Sequence, residues 1–274
     1  MSRSLDSQLF LPTNAITDRM REIEFNGIKV AYRRSLDGNG SLFAPLIVEF
    51  FRNRVASVGS GQRFEKAYEW CSGPGFIGFA LLAAGICETL CLADINPRAL
   101  ECIERTVKRN GLEDRVTYYL SDNLTAIPDS ERFDLVVSNP PWFYQINPAH
   151  PLYAKLRDDL RPNDPGWKLH GDFFRGIGKH LVDGGLVCMS ENEVHNANVV
   201  LPGFDGVPYD IRPRPAIDDW KMMMEEGGLD YVDTLFFSTP YGFDGEMVVA
   251  AKAPHGTYRT SDLGWGRKVI TRTV

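Results

Sequence analysis

From residue 66 onward, short apolar runs alternate along the chain with longer amphipathic stretches. A short apolar run predicts a strand, whereas apolar positions that recur with a period near 3.6 predict a helix. The predicted strands are 66–70, 89–93, 116–120, 133–138 and 185–190, and the predicted helices are 76–84, 97–110 and 171–181. Strands that alternate with helices are typical of a parallel sheet with crossover connections. The pattern therefore predicts an α/β protein built on a doubly wound sheet.

Both ends of this core carry further predicted elements. Before it, residues 22–33 alternate around Asn26-Gly27, a dipeptide that favours a two-residue hairpin turn. After it, a helix at 217–226 is followed by strands at 231–238 and 246–252, which suit an antiparallel hairpin at the sheet edge. We therefore expect one mostly parallel, seven-stranded sheet with a short N-terminal arm and an antiparallel edge hairpin.

A glycine-rich turn at 37–40 precedes a predicted helix at 42–55. The turn is either a plain connector or a flap over a ligand, since binding residues often lie on loops next to a rigid core. The predicted organisation is an arm and flap (1–60), a catalytic domain (61–254) and a C-terminal tail (255–274) without a predicted element.

The composition narrows the class of protein. With 274 residues, 43% of them hydrophobic, the chain can bury the core of one large domain. A formal net charge of -6 argues against a nucleic-acid partner, because such proteins usually carry a basic surface. The five cysteines form no C-x-x-C pair, the histidines lack metal-ligand spacing, and no signal-peptide pattern or membrane-length apolar run is present. We expect a cytoplasmic protein without a metal or a membrane partner.

The first core strand leads into a glycine-rich turn that begins just after Glu69. Gly73, Gly75 and Gly78 have the G-x-G-x-x-G spacing. In such turns the first glycine makes the tight turn, the second lets a ligand approach the backbone, and the third allows close packing of helix and strand. Since many glycine-rich turns bind nothing, this motif alone leaves a binding role and a structural role equally open.

Polar residues also follow the next three strands. Each one alone is more typical of a helix cap or a turn. Together they suggest a binding site, because ligands of doubly wound sheets bind outside the carboxyl ends of the strands. An acid about 20 residues beyond the glycine turn can hold ribose hydroxyls, and a neighbouring Asp-Asn pair can read an adenine edge. The residues concerned are Asp94 and Asn96, then Asp122 and Asn123, then Asn139, Pro140, Pro141 and Trp142.

At these positions the sequence resembles the class I S-adenosylmethionine-dependent methyltransferases, in the subgroup with an Asn-Pro-Pro-aromatic motif. The resemblance covers about residues 37–190 and is most specific at 139–142. It implies a Rossmann-like fold and S-adenosylmethionine as the cofactor. The resemblance also implies which residues bind each part of the cofactor. The methionine part would be held by Glu69, Gly73, Gly75 and Gly78. The ribose would be held by Asp94 with the neighbouring Asn96, and the adenine by Asp122 and Asn123.

The same resemblance implies that Asn139 and the carbonyl of Pro140 accept hydrogen bonds from a substrate nitrogen, on which the ring of Trp142 packs. A nitrogen with two N–H groups needs two acceptors, and with both engaged its lone pair can point at the sulfonium methyl group. Trp142, Phe143 and Tyr144 are candidates to surround the substrate and the sulfonium with ring faces. Ordinary core packing is the alternative interpretation of these three aromatic residues. Two departures from the family pattern are Trp142, where tyrosine is commoner, and Pro74 inside the glycine turn.

Three functions remain open. The first is methyl transfer to a nitrogen of a small molecule, which the negative charge favours over a nucleic acid. The second follows from a resemblance of the Cys-Ser-Gly-Pro-Gly-Phe-Ile-Gly turn and the Asn-Pro-Pro-Trp motif to azetidine-2-carboxylate synthases. In those, the cofactor's own amine attacks its own γ-carbon and methylthioadenosine leaves, so Asn139 would hold the cofactor itself. The third is a non-catalytic sensor, which needs no clamp for a nitrogen.

Overall fold

The computed structural model describes residues 18–141, 145–146, 164–192, 209–210, 216–238, 244–253, 257–262 and 267–273. Its strands are β1 (Met20–Phe25), β2 (Ile28–Arg33), β3 (Phe64–Trp70), β4 (Cys87–Asp94), β5 (Val116–Leu120), β6 (Phe133–Ser138), β7 (Gln145–Ile146), β8 (Leu181–Asn192), β9 (Tyr209–Asp210), β10 (Asp230–Ser238), β11 (Asp244–Lys252), β12 (Tyr258–Asp262) and β13 (Lys268–Arg272). Its helices are α1 (Gly40–Arg54), α2 (Ala56–Gly59), α3 (Phe76–Ala83), α4 (Pro97–Asn110), α5 (Lys168–Ile177) and α6 (Ile217–Glu226).

A seven-stranded sheet forms the centre of the molecule, in the order β10-β11-β8-β6-β3-β4-β5. β3, β4, β5, β6 and β8 are parallel, whereas β11 is antiparallel to both β8 and β10. The predicted sheet and its antiparallel edge hairpin are therefore confirmed. The strand order reverses between β3 and β6, so the carboxyl ends of these two strands flank a crevice of the kind that binds ligands.

Helix α4 shows why several predicted bounds agree with the structure. The Asn96 side chain accepts a hydrogen bond from the Arg98 amide at 3.0 Å, and Pro97 occupies the first turn, where no amide is needed. Gly111, with φ +62°, ends the helix in the left-handed conformation. These signals lie within the helix's own sequence, so the sequence alone predicts both ends.

The N-terminal hairpin β1–β2 is also confirmed, with Asn26 and Gly27 at φ +42° and +92° in its turn. It packs on α4, where the Ala31 amide donates to Thr106 Oγ1 at 2.9 Å and the Lys29 amide donates to Asn110 Oδ1 at 3.0 Å. The hairpin is thereby attached to the helix that follows β4. Within the described ranges, no helix has the length and apolar composition needed to cross a bilayer.

Two parts of the structure differ from the sequence prediction. The helix predicted at 171–181 begins earlier, at Lys168, and ends at Ile177; a 3-10 turn follows, and Leu181 already belongs to β8. A Cβ atom on Gly178 would lie 1.9 Å from the Gly227 carbonyl oxygen, so two distant backbones meet where α5 ends. The segment 255–274, without a predicted element, contains the hairpin β12–β13, whose Ile270 is buried.

Candidate active site

A cavity of about 860 Å³ lies at the carboxyl ends of β3, β4, β5 and β6. Its lining contains eight of the site residues that the sequence predicts at or after the ends of these strands. These are Glu69, Gly73, Asp94, Asn96, Asp122, Asn123, Asn139 and Pro140. The parallel arrangement of the strands brings them together, because each follows its strand at the same edge of the sheet. Trp142, Phe143 and Tyr144 lie outside the described residues.

The three glycines of the turn have different surroundings. Gly73, with φ +51°, lines the cavity. Gly75 and Gly78 face the sheet: a Cβ atom on Gly75 would lie 2.9 Å from the Leu92 side chain, and one on Gly78 would lie 2.7 Å from the Leu90 side chain. The last two glycines therefore let α3 approach β4 closely, while Gly73 leaves backbone accessible to a ligand.

Glu69 is buried beneath the glycine turn and holds the start of α3. Its Oε2 accepts a hydrogen bond from the Gly78 amide at 2.7 Å, and its Oε1 accepts one from the Ile77 amide at 3.3 Å. Burial raises the pKa of Glu69 to about 8, although the two amide bonds lower it. The carboxyl group therefore satisfies two amides at a helix N-terminus that would otherwise lack partners.

Asp94 joins the loops that follow β3 and β4. Its Oδ2 accepts a hydrogen bond from the Gly73 amide at 2.7 Å, and its Oδ1 accepts one from the Asn96 amide at 2.9 Å. Burial raises the pKa of Asp94, and the backbone hydrogen bonds oppose that rise. An ionised carboxylate offers about four lone-pair positions. Asp94 therefore retains acceptor capacity on the side that lines the cavity.

Asn123 sits in a turn after β5 with φ +52°, a conformation that asparagine tolerates better than most residues. Its Nδ2 donates to the Leu169 carbonyl at 3.0 Å, which ties the turn to α5. Its Oδ1 is buried and has no hydrogen-bond partner among the described residues. A ligand with an N–H group would satisfy this acceptor, whereas the neighbouring Asp122 is exposed to solvent at the cavity mouth.

The Asn139-Pro140-Pro141 segment follows β6 and lines the cavity. Ser138, just before it, donates from Oγ to the Trp70 carbonyl at 2.6 Å, which fixes the end of β6 to the end of β3. Asn139 Nδ2 donates to the Gly38 carbonyl at 3.5 Å. This contact uses the donor end of the amide and leaves its Oδ1 available as an acceptor.

Residues 36–40 form part of the cavity wall. A Cβ atom on Gly40 would lie 2.8 Å from the Phe76 ring, so this segment packs directly against the start of α3. Asp37 binds the first turn of α1, since its carboxylate accepts hydrogen bonds from the Ser41 amide at 3.2 Å and the Ser41 hydroxyl at 2.6 Å. The segment reaches both the glycine turn and Asn139.

Asp164, which was not among the predicted site residues, also lines the cavity and is buried. Its Oδ1 accepts a hydrogen bond from the Leu169 amide at 2.8 Å. The Asp164-Pro165-Gly166 run is a turn signal ahead of an apolar helix, so a search for helix starts would have found it. Its place in the cavity wall depends on tertiary contacts.

The described residues fit S-adenosylmethionine. Gly73 permits backbone approach, Asp94 has spare acceptor capacity for hydroxyl groups, and Asn123 Oδ1 is a buried acceptor without a partner. Aspartates also outnumber lysines in the cavity wall, which suits a cationic ligand: Asp37, Asp94, Asp122, Asp164 and Asp172 against Lys168 and Lys179. Among the described side chains, no group of three or more His, Cys, Asp or Glu could hold a metal ion.

The strand order, with β11 antiparallel between β8 and β10 and the cavity at the switch point, is the fold of the class I methyltransferases. Residues 37–158 match the methyltransferase small domain family. A solved S-adenosylmethionine-dependent methyltransferase from Clostridium acetobutylicum is similar in fold, with a TM-score of 0.51 and 14% identity, over 79% of this chain and 93% of that one.

Curated relatives are named for methylation of glutamine. The release factor glutamine methyltransferase of Clostridium acetobutylicum is 31% identical over 181 residues, which are 61% of this chain and 61% of that protein. The ribosomal protein uL3 glutamine methyltransferase of Francisella tularensis subsp. tularensis is 26% identical over 159 residues, or 57% of this chain and 49% of that protein. The chain thus spans about half to three fifths of these relatives' length.

Proposed function

We propose that this chain is a methyltransferase that binds S-adenosylmethionine and methylates a nitrogen held by Asn139 and the Pro140 carbonyl. The observation that supports it most is that the polar residues after four neighbouring strands line one cavity. A plain structural role for each residue would explain its turn or cap. It would not explain why Asp94, Asn123 and Asn139, whose oxygens have acceptor capacity that the described hydrogen bonds leave unused, line one cavity.

Different residues of the cavity would bind different parts of the cofactor. Gly73 would accommodate the methionine part, Asp94 would accept hydrogen bonds from ribose hydroxyls, and Asn123 Oδ1 would accept one from the adenine amine. When bound, the cofactor supplies an activated methyl group on a sulfonium. Asn139 and Pro140 would hold the acceptor nitrogen by its N–H groups and so direct its lone pair, a positioning effect worth up to about 7–11 kcal/mol in favourable cases.

The acceptor that we propose is a nitrogen with two N–H groups, because Asn139 and Pro140 offer two acceptors. The glutamine carboxamide is the first candidate, since the relatives are named for glutamine methylation. A small-molecule amine is the second candidate, and the net charge of -6 argues against a nucleic acid as the acceptor. Both acceptors have the required pair of N–H groups.

The experiment incubates pure protein with S-adenosylmethionine in three arms and separates the nucleoside products. The arms contain no acceptor, a panel of small amines, or a glutamine-containing peptide. S-adenosylhomocysteine that depends on an acceptor supports the proposal, and the productive arm identifies the acceptor class. Methylthioadenosine without any acceptor would instead indicate cyclisation of the cofactor. Tight binding without product in any arm would indicate a sensor.

A further inference from the structure

His170, in α5, is a fully buried histidine held between two buried carboxylates. Its Nδ1 lies 2.5 Å from Asp164 Oδ2 and its Nε2 lies 3.1 Å from Glu191 Oε1. An ionised carboxylate can only accept hydrogen bonds, so between two of them both ring nitrogens donate and the ring is an imidazolium cation. Burial lowers the pKa of His170, but the charge of Glu191 and the bonds to both carboxylates outweigh it and raise the pKa to about 9.

Three tryptophan rings enclose this cation. Trp220 is stacked on the imidazole with ring centroids 5.5 Å apart, and Trp70 and Trp167 approach it edge-on at 5.5 and 5.6 Å. Trp167 has φ +55°, a conformation that non-glycine residues adopt only where packing compensates for the strain. The cluster of His170, Asp164, Glu191 and the three tryptophans, here called the histidine cluster, is therefore rigidly built.

The histidine cluster connects to the cavity through Asp164. Asp164 lines the cavity wall and accepts a hydrogen bond from the Leu169 amide at 2.8 Å. The carbonyl of the same Leu169 accepts the hydrogen bond from Asn123 Nδ2. A chain of hydrogen bonds thus runs from the Asn123 turn, through the wall of the cavity, to His170 and on to Glu191 in β8.

We propose that protonated His170 is a positioning residue that ties the cavity wall at Asp164 and the Asn123 turn to β8, and thereby sets the affinity for the cofactor. The proposal rests on the proposed function, because it concerns the same cavity. Loss of the ring proton would remove the cation between two buried carboxylates. A buried charge that has lost its partner is strongly destabilising. The cavity wall at Asp164 would therefore shift away from the neutral ring.

The charged groups around His170 come from several elements. Asp164 precedes α5, and Glu191 is the second-last residue of β8. Glu246 of β11 pairs with Glu191 in the sheet register. Lys168, at the start of α5, is exposed and forms an ion pair with Asp172. Among these described groups, Asp164 and Glu191 contact the ring directly, so they control its titration.

The test has two readouts, at pH values from 6 to 10. The first is the titration of the His170 imidazole by NMR in the protein without cofactor. The second is the affinity for S-adenosylhomocysteine by calorimetry, in wild type, His170→Gln and Glu191→Gln. His180→Gln is the matched control, because His180 is equally buried and lies on the adjacent 3-10 turn, yet its ring nitrogens bond to no carboxylate among the described residues and its ring packs on Phe133 instead. Titration of the ligand amine is common to all variants and cancels in the affinity ratios.

We expect the wild-type imidazole to titrate near pH 9, with a loss of affinity of roughly 10-fold over the same range. His170→Gln should bind S-adenosylhomocysteine weakly at every pH, without a loss of affinity near pH 9. Glu191→Gln retains a hydrogen-bonding group but loses one carboxylate charge, so its step should move to lower pH. His180→Gln should follow wild type.

An imidazole that titrates near pH 6.5, or a folded His170→Gln variant with wild-type affinity and pH dependence, would overturn the proposal. So would an unchanged pH profile in Glu191→Gln. A wild type that binds neither S-adenosylmethionine nor its product, but whose imidazole titrates near pH 9, would refute the proposed function and the coupling to the cavity. In that case the charge state of the histidine cluster would still stand.

Discussion

The Gly73 amide donates a hydrogen bond of 2.7 Å to Asp94 Oδ2, so the carboxylate that follows β4 holds the glycine turn that follows β3. The other oxygen of the same carboxylate holds the Asn96 amide. One side chain therefore shapes two loops of the cavity and also faces it. Removal of the Asp94 charge should therefore loosen both loops and weaken the binding of a ligand in the cavity.

Asp94→Asn should weaken the binding of S-adenosylmethionine. A hydrogen bond to a charged group contributes about 1.5–3 kcal/mol, so we expect a loss of roughly 10- to 100-fold in affinity. Calorimetry measures the affinity, and a melting curve measures stability. Asp134→Asn is the matched control, because Asp134 accepts hydrogen bonds from the Glu65 and Lys66 amides at the opposite end of the sheet. Equal affinities in the two variants would remove Asp94 from the binding site.

Asn139→Ala should lower the maximal rate far more than the affinity for the cofactor. The two N–H bonds to the acceptor matter most as the nitrogen attacks, so we expect a loss of roughly 10- to 1000-fold in kcat. Asn110→Ala is the control, because the Asn110 side chain bonds to Lys29 and Thr106 far from the cavity. Full activity of Asn139→Ala would contradict nitrogen methylation as proposed. An equal loss of cofactor affinity and rate would favour cyclisation, in which the held nitrogen belongs to the cofactor.

Glu69→Gln should change how stability depends on pH. The pKa of Glu69 is raised in the folded protein, to about 8, so the folded state binds a proton that the unfolded state has already released. Its contribution to stability is therefore fully present below the unfolded pKa, near 4.5, and is lost as pH rises to about 8. Denaturant unfolding without cofactor, from pH 5 to 9, should show a smaller decline in the variant. Parallel curves for the two proteins would refute the raised pKa.

Gly178→Ala and Gly227→Ala should each destabilise the fold. An added Cβ atom would lie 1.9 Å from the Gly227 oxygen in the first variant and 2.0 Å from the Phe174 oxygen in the second. Because both obstacles are backbone atoms, we expect each variant to lose about 1–3 kcal/mol of the free energy of unfolding, the range typical of overpacking. Lys179→Ala, which removes only an exposed ion pair with Asp129, should stay within about 0.5 kcal/mol of wild type. Wild-type stability of both glycine variants would show that α5 and α6 do not meet there.

Local signals in the sequence determined most of the secondary structure. The bounds of α4, β5, β6 and α6 agree with the predicted ranges, because caps, turns and apolar periodicity lie within a few residues of each end. The common edge for Asp94, Asn123 and Asn139 was also predictable. Parallel strands place the residues after their carboxyl ends on one side of a sheet.

Contacts between distant segments decided the rest. The end of α5 depends on Gly178 meeting Gly227, and the hairpin β12–β13 has only a weak alternation around Ile270. No motif in the sequence distinguishes His170, because its partners Asp164 and Glu191 lie 6 and 21 residues away. Hydrogen bonds and charges of this kind form only when the sheet and helices bring the groups together, so the tertiary structure alone determines them.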